Sequence, residues 1–310
     1  MYQLVEKRRW YFLLSTLVIV PGLVAMIYST ITTGLPFKLS IDFTGGTLWV
    51  LEFPQPVEPA ELRAIFIDAG LPDTQVTTVG NAQTLQVRTK PVTPEEKIQI
   101  EATINSKLGP GVTELEFSEI GPALGSEVSR SATLAVIAAA VAILVFLTLA
   151  FRRVPHPVRY GVSAIAAMLH DILVTVGIFS ILSLLLGWEA DALFLTAILT
   201  VIGFSVQDTN VVFDRIRENT PKYRGESFTT IANRSLLETM HRSLATQLCA
   251  MFMMVALLFF GGATIREFIA IMFFGLISGT YSSLFNAVPI LAGWEDHDLL
   301  GTKKKQPATA

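Results

Sequence analysis

Apolar residues gather along this chain into runs long enough to cross a bilayer, whose hydrocarbon core of about 30 Å takes roughly 20 residues of helix. Six such runs are predicted as spans: Trp10 to Ile31, Ala132 to Phe151, Tyr160 to Leu186, Ala192 to Phe213, Leu244 to Gly262 and Phe268 to Ala292. The first has a basic flank, Lys7-Arg8-Arg9, like a signal peptide. Its apolar run exceeds an ordinary signal core and Ala25-Met26-Ile27 is a poor cleavage site, so a retained helix is expected.

Between the first two spans the pattern changes character. Residues 32–131 carry 13 acidic and 7 basic side chains. Thr47 to Phe53, Gln75 to Val79, Thr84 to Thr89 and Val112 to Phe117 read as strands. Leu62, Ile65 and Phe66 keep helical spacing within Pro59 to Ala69. A second helix opens at Thr93-Pro94-Glu95-Glu96, with Thr93 as N-cap, Pro94 at the first helical position and acids in the first turn. The order strand, helix, strand, strand, helix, strand predicts a ferredoxin-like α+β domain. The expected fold class is therefore a polytopic α-helical membrane protein with six transmembrane helices and a βαββαβ domain between helices 1 and 2.

The composition agrees with that reading. Of 310 residues 51% are hydrophobic and only 16% charged, and the mean hydropathy is +0.53. Net charge is −3, which excludes a nucleic-acid binder built on overall basicity. One cysteine, Cys249, excludes an intrachain disulfide and a thiolate cluster. The four histidines are too scattered for a zinc motif, so no metal or other cofactor is expected. The insert holds no His, Cys, serine elbow or phosphate loop, and no enzymatic activity is expected.

Basic residues sort to one side. Lys7 to Arg9, the connection with Arg152, Arg153 and Arg159, the connection from Arg215 to Arg242 and the tail Lys303 to Lys305 hold 15 of the 23 Lys and Arg. By the positive-inside rule, residues 1–9, 214–243 and 293–310 are predicted cytoplasmic and 32–131 extracytoplasmic.

Ionisable groups inside spans cost about 2.5 kcal/mol or more, and each invites a functional reading. Asp208 lies in the fourth span, sharing a helix face with Ser205 and Thr209. It is read as a proton-carrying carboxylate or as a buried polar contact that fixes helix packing. Arg242, on a face with Thr239 and Thr246, is the expected cation near it, or a snorkelling side chain. His170 and Asp171 lie about ten residues into the third span; adjacent residues point about 100° apart, so pairing is not required, and packing and proton relay stay equally open. Asp214, Arg215, Arg217 and Glu218 read chiefly as an interfacial charge run. Gly275, Ser278 and Gly279 read as small residues for close helix approach, and Ile41-Asp42-Phe43-Thr44-Gly45-Gly46 as a turn whose glycines permit positive φ.

Asp42-Phe43-Thr44-Gly45-Gly46, the run Gly203 to Asn219 ending Asp214-Arg215-Ile216-Arg217-Glu218-Asn219, and Asn233, Ser235, Thr239 and Arg242 together resemble the SecF family. Its members are the smaller membrane components of the bacterial SecD/SecF pair, in the resistance-nodulation-division superfamily. The resemblance covers nearly the whole chain. It implies a protein-transport subunit that works with SecD and uses the proton-motive force late in preprotein translocation and release. It also implies the SecYEG channel, SecA, YajC and unfolded preprotein as partners, and protons as the coupling ion. The implied proton pathway is Asp208 and Arg242, with Asp42, Gly45 and Gly46 as a family turn. The implied location is the bacterial cytoplasmic membrane, or also an internal membrane where a cell has one. A proton-coupled small-molecule exporter and a passive assembly subunit stand as alternatives.

Overall fold

The computed structural model describes residues 3–152 and 154–298. Arg153 and the basic tail Lys303 to Lys305, used above to orient the chain, lie outside the described residues. The chain divides into two compact units, residues 39–134 and the remainder.

After the long first helix α1 (Arg8–Thr33), the smaller unit opens with a one-turn helix α2 (Ile41–Thr44). It continues as β1 (Gly46–Glu52), α3 (Pro59–Asp68), β2 (Gln75–Thr78), β3 (Thr84–Thr89), α4 (Pro94–Leu108) and β4 (Thr113–Ile120). The sheet order is β2-β3-β1-β4, every neighbouring pair antiparallel. Alternation along β1 turns Trp49 and Leu51 inward to meet Leu85 and Val87 of β3, Leu62, Ile65 and Phe66 of α3, and Ile100 and Ile104 of α4. Thr93 caps α4 in a reciprocal box: its hydroxyl accepts from the Glu96 backbone N–H, and the Glu96 carboxylate accepts from the Thr93 N–H at 2.8 Å.

The Asp42 to Gly46 turn has a local cause. Ser40 caps α2 by accepting from the Asp42 N–H, Gly45 takes φ 71° and Gly46 φ 124°. A Cβ on Gly46 would stand 2.7 Å from the Thr89 carbonyl oxygen, so only glycine starts β1 at this height.

The larger unit contains α1, α6 (Pro157–Leu186), α7 (Ala192–Asn219), α8 (Phe228–Phe260), α9 (Ala263–Ser282), a π-helical turn (Ser283–Ala287) and α10 (Val288–Glu295). The helix α5 (Pro122–Ala150) precedes α6 in the chain. Among the described residues six helices are long and apolar enough to cross a membrane, the last running from Ile265 to Glu295 through the π turn. Apolar side chains such as Leu17, Phe146, Phe252 and Phe260 stay exposed on these helices, as a lipid-facing surface requires. At one end Phe151, Tyr160 and Phe213 form an aromatic core, the first two rings stacked 5.1 Å apart.

Several boundaries differ from the sequence reading. α5 starts at Pro122, ten residues before the predicted span. The stretch 214–243 is mostly helical rather than a loop, since α7 runs to Asn219 and α8 begins at Phe228, capped by Ser227. The physical reason is common to both: hydropathy ends where polar side chains begin, but the backbone hydrogen-bond ladder continues through them. The gap between the predicted spans ending at Gly262 and starting at Phe268 closes in the same way, because α9 begins at Ala263.

Candidate functional site

Asp208 sits on the face of α7 turned to the helix bundle, beside Ser205 and Thr209; all three are buried. The hydrogen bond Asp208 makes is to Gln247 of α8, whose Nε2 donates to Oδ2 at 2.6 Å. Arg242, the cation expected from the sequence, is not brought to Asp208. It lies five residues before Gln247 and so about 140° around α8, and its side chain is exposed. Ser243, Gln247 and Met254 form the buried side of that helix instead.

A second carboxylate lies close by. Asp171 of α6 is 1% exposed and takes four hydrogen bonds from three helices. Oδ2 accepts from the hydroxyls of Ser205 at 2.6 Å and Ser282 at 2.5 Å. Oδ1 accepts from Ser278 at 2.7 Å and faces Nδ1 of His170 at 3.0 Å. The two neighbours in sequence do pair. Ser205 bonds Asp171 through its side chain and Thr209 through its backbone carbonyl, and Asp208 follows about one helical turn on with its own bond to Gln247.

Small residues let these helices approach. A Cβ on Gly275 of α9 would fall 2.2 Å from Val201 Cγ2 of α7, and one on Gly279 would meet Ser205 at 3.4 Å. On the other side of α6 the backbones of Gly22 and Gly177 touch, a Cβ on Gly22 falling 2.6 Å from Gly177 Cα. Ser278, read from sequence as a spacer of the same kind, also binds Asp171.

The charge run at the end of α7 forms an ion-pair lattice. Asp214 pairs with Arg217 at 2.6 Å, and Arg215 reaches Glu218 at 2.8 Å and Glu238 of α8 at 2.5 Å. Asn219 adds amide bonds to Glu238 and to the Ser235 hydroxyl. Asn233 accepts from the backbone N–H groups of Leu4 and Val5, tying the start of the chain to α8. Of these pairs Arg215–Glu238 joins α7 to α8, and the buried Val212 and Phe213 stand between the charge run and Asp208 along α7.

Asp42, Gly45 and Gly46 belong to the smaller unit, where the Arg88 guanidinium donates to the Leu39 carbonyl at 2.7 Å. Burial pushes Arg88 down to about 10 while the Asp42 charge opposes the shift, so the side chain stays protonated at any working pH.

Sequence reasoning missed Gln247, Ser278 and Ser282 as site residues. Gln247 is visible as the one amide in the run Leu244 to Gly262, and Ser278 with Ser282 as an i, i+4 hydroxyl pair; neither spacing names its partner.

Comparison with known proteins gives a consistent set of likenesses. Residues 100–297 match the family model described as protein export membrane protein SecD/SecF, C-terminal. The chain is 46% identical over 315 residues to protein translocase subunit SecF of Anaerolinea thermophila, with 100% of both chains covered. It is 44% identical to the subunit of the same name from Thermobaculum terrenum, covering 97% of this chain and 96% of that one. Among solved structures it is similar to SecDF, a translocon-associated membrane protein from Thermus thermophilus, with a TM-score of 0.79 and 31% identity over 95% of this chain. The match spans 39% of that SecDF chain.

Proposed function

The chain belongs to the SecF family of protein translocase subunits, and from that premise we propose that it couples proton movement to preprotein export through Asp208. The observation that carries this reading is a buried membrane-embedded carboxylate whose hydrogen-bond partner is a neutral amide, Gln247. Such an acid takes up or releases a proton without breaking an ion pair. One elementary charge crossing 100 mV carries about 2.3 kcal/mol, enough to bias a two-state domain equilibrium by tens-fold.

The reading has the chain working beside a SecD-type partner, which the remainder of the matched SecDF chain supports. In it Arg242, exposed on the bundle surface, meets that partner and completes the proton path at the interface. SecYEG, SecA and YajC are its further associates in the Sec complex, and unfolded preprotein is the cargo. The chain lies in the bacterial cytoplasmic membrane with both termini cytoplasmic. Residues 32–131 are then an extracytoplasmic domain, and its strand order β2-β3-β1-β4 supports the ferredoxin-like assignment. This domain grips or releases the emerging preprotein as protons pass.

The test is Asp208→Asn in membrane vesicles with the partner present. Gradient-dependent export is expected to fall to the level seen without a gradient, at parental expression. Export at the parental rate removes Asp208 from the mechanism, and failure of the chain to copurify with a SecD-type subunit removes the shared path.

A further inference from the structure

An ionised carboxylate offers about four lone-pair positions, and Asp171 has all four filled at 2.5 to 3.0 Å. A packing contact between helices needs one or two such bonds, and an amide would supply them without placing a charge in the membrane. The donors here come from α6, α7 and α9 and converge on one side chain. One of them, Ser282, ends α9 directly before the π-helical turn Ser283–Ala287, a distortion that recurs at functional positions in helices. His170 brings an imidazole whose Nε2 is buried without a protein hydrogen-bond partner. The same ring borders a cavity of about 190 Å³ whose lining, from Leu14, Val18, Val174, Ile178, Phe274 and Ile277 among others, is almost wholly apolar.

We infer that Asp171 and His170 form a second proton-carrying station within this chain, in line with Asp208 through the hydroxyl of Ser205. The inference rests on Asp208 being a proton carrier. In the transfer, Ser205 Oγ takes the proton given up by the Asp208 carboxyl and passes its own to Asp171 Oδ2. An O–H bond breaks at Asp208 and one forms at Asp171 Oδ2, while at Ser205 Oγ one forms as the other breaks, so the two carboxyls exchange protonation states. The proton on Oδ2 then occupies the position that Ser205 had filled, and Ser205 turns from donor to acceptor toward Asp171 while Ser282 keeps its bond. A half-turn of the Asp171 carboxyl then brings the new O–H to the imidazole; with the ring's own hydrogen on Nε2, that O–H bond breaks as an N–H bond forms at Nδ1, leaving a carboxylate beside an imidazolium. The other titratable groups that the packed helices bring near are Tyr281 of α9, its ring 6.1 Å from the imidazole, and Tyr11 of α1, whose backbone carbonyl accepts from the Tyr281 hydroxyl.

The test uses the full chain in its membrane complex and reads infrared difference spectra between acid and alkaline buffer, together with gradient-dependent export. Asp171→Asn is expected to lose one protonated-carboxyl carbonyl band and Asp208→Asn a different one. Ser205→Ala is expected to keep both acids yet lose gradient-dependent export, and Ser205→Thr, which keeps the hydroxyl, to regain it. If Asp171→Asn fails to fold, His170→Gln, which keeps a donor but cannot titrate, should move the Asp171 band. A spectrum in which Asp171→Asn retains every band, an unmoved band in His170→Gln, or parental export by Ser205→Ala overturns the inference. Loss of export in Asp208→Asn with parental export in Asp171→Asn overturns it while leaving the role of Asp208 standing.

Discussion

Gln247 and Arg242 lie on one helix and face opposite ways: Gln247 is buried and donates to Asp208 at 2.6 Å, while Arg242 is exposed. Their variants should therefore part company in two assays. Gln247→Leu strands a buried carboxylate and is expected to cost about 1–3 kcal/mol, seen as a lower melting temperature of the purified chain. Arg242→Ala should melt with the parent yet lose gradient-dependent export in vesicles containing the partner. A large fall in melting temperature for Arg242→Ala would place it in this chain's own packing instead.

Close approach of α7 and α9 depends on Gly275. Adding one methyl there meets Val201, whose Cγ2, Cγ1 and Cβ lie 2.2, 2.8 and 3.0 Å from the new atom. Valine is stiff at χ1 and cannot swing clear. Gly275→Ala is expected to destabilise by about 1–3 kcal/mol through overpacking. Val201→Ala in the same chain should recover much of that loss; strictly additive melting shifts would show that the two residues do not collide.

In the smaller unit, Gly46→Ala combines a positive φ with a clash on the Thr89 carbonyl. Strain of about 1–3 kcal/mol follows, and limited proteolysis should cut residues 39–134 faster than in the parent. Gly80 also has positive φ, at 74°, but faces open space. Gly80→Asn should be cleaved at the parental rate, since asparagine tolerates the left-handed region.

Asp73 and Lys90 meet at 2.6 Å on the surface, and the hydrogen bond and charge of Lys90 hold the Asp73 carboxyl below its ordinary range. A lowered folded-state pKa means that the pair stabilises above the unfolded value of about 3.9 and stops doing so as pH falls through the lower folded value. Both side chains are exposed, at 65% and 67%, so the effect is small and screened by salt. Asp73→Asn should melt marginally below the parent at neutral pH in low salt, and coincide with it in strong acid or high salt. A gap that persists in acid would mean that the carboxylate charge is not its source.

The spans and the sheet are legible in the sequence because each is a local pattern: apolar runs of bilayer length, and alternation that puts Trp49 and Leu51 on one face of β1. Asp208 is legible for a related reason, as a carboxylate where lipid or packing should exclude charge. What holds each acid is not legible. The sequence places Thr239, Arg242 and Thr246 correctly on one face of α8, but which face of α8 meets α7 is decided by packing against other helices, and the buried face carries Ser243 and Gln247. The four donors to Asp171 come from positions 170, 205, 278 and 282, and no local pattern joins them. Helix ends escape for a different reason, since α5 starts at Pro122 and α8 behind its Ser227 cap, both outside the apolar runs.

The π-helical turn gives the last helix a phase. Before it, Ser278 and Ser282 face Asp171; within it, Asn286 exchanges hydrogen bonds with Ser15; after it, Val288, Leu291 and Ala292 join the aromatic core. Because a π turn holds one residue more than an α turn, removing one residue from Ser283–Ala287 would restore an ordinary α-helical count and leave the downstream faces nearly where they are. The same deletion in the regular helix before the turn would instead rotate everything downstream by about 100°, and the polar and apolar stripes would no longer point together. A single-codon deletion is thus absorbed in this segment, whereas one turn earlier it changes the register of the whole end of the chain.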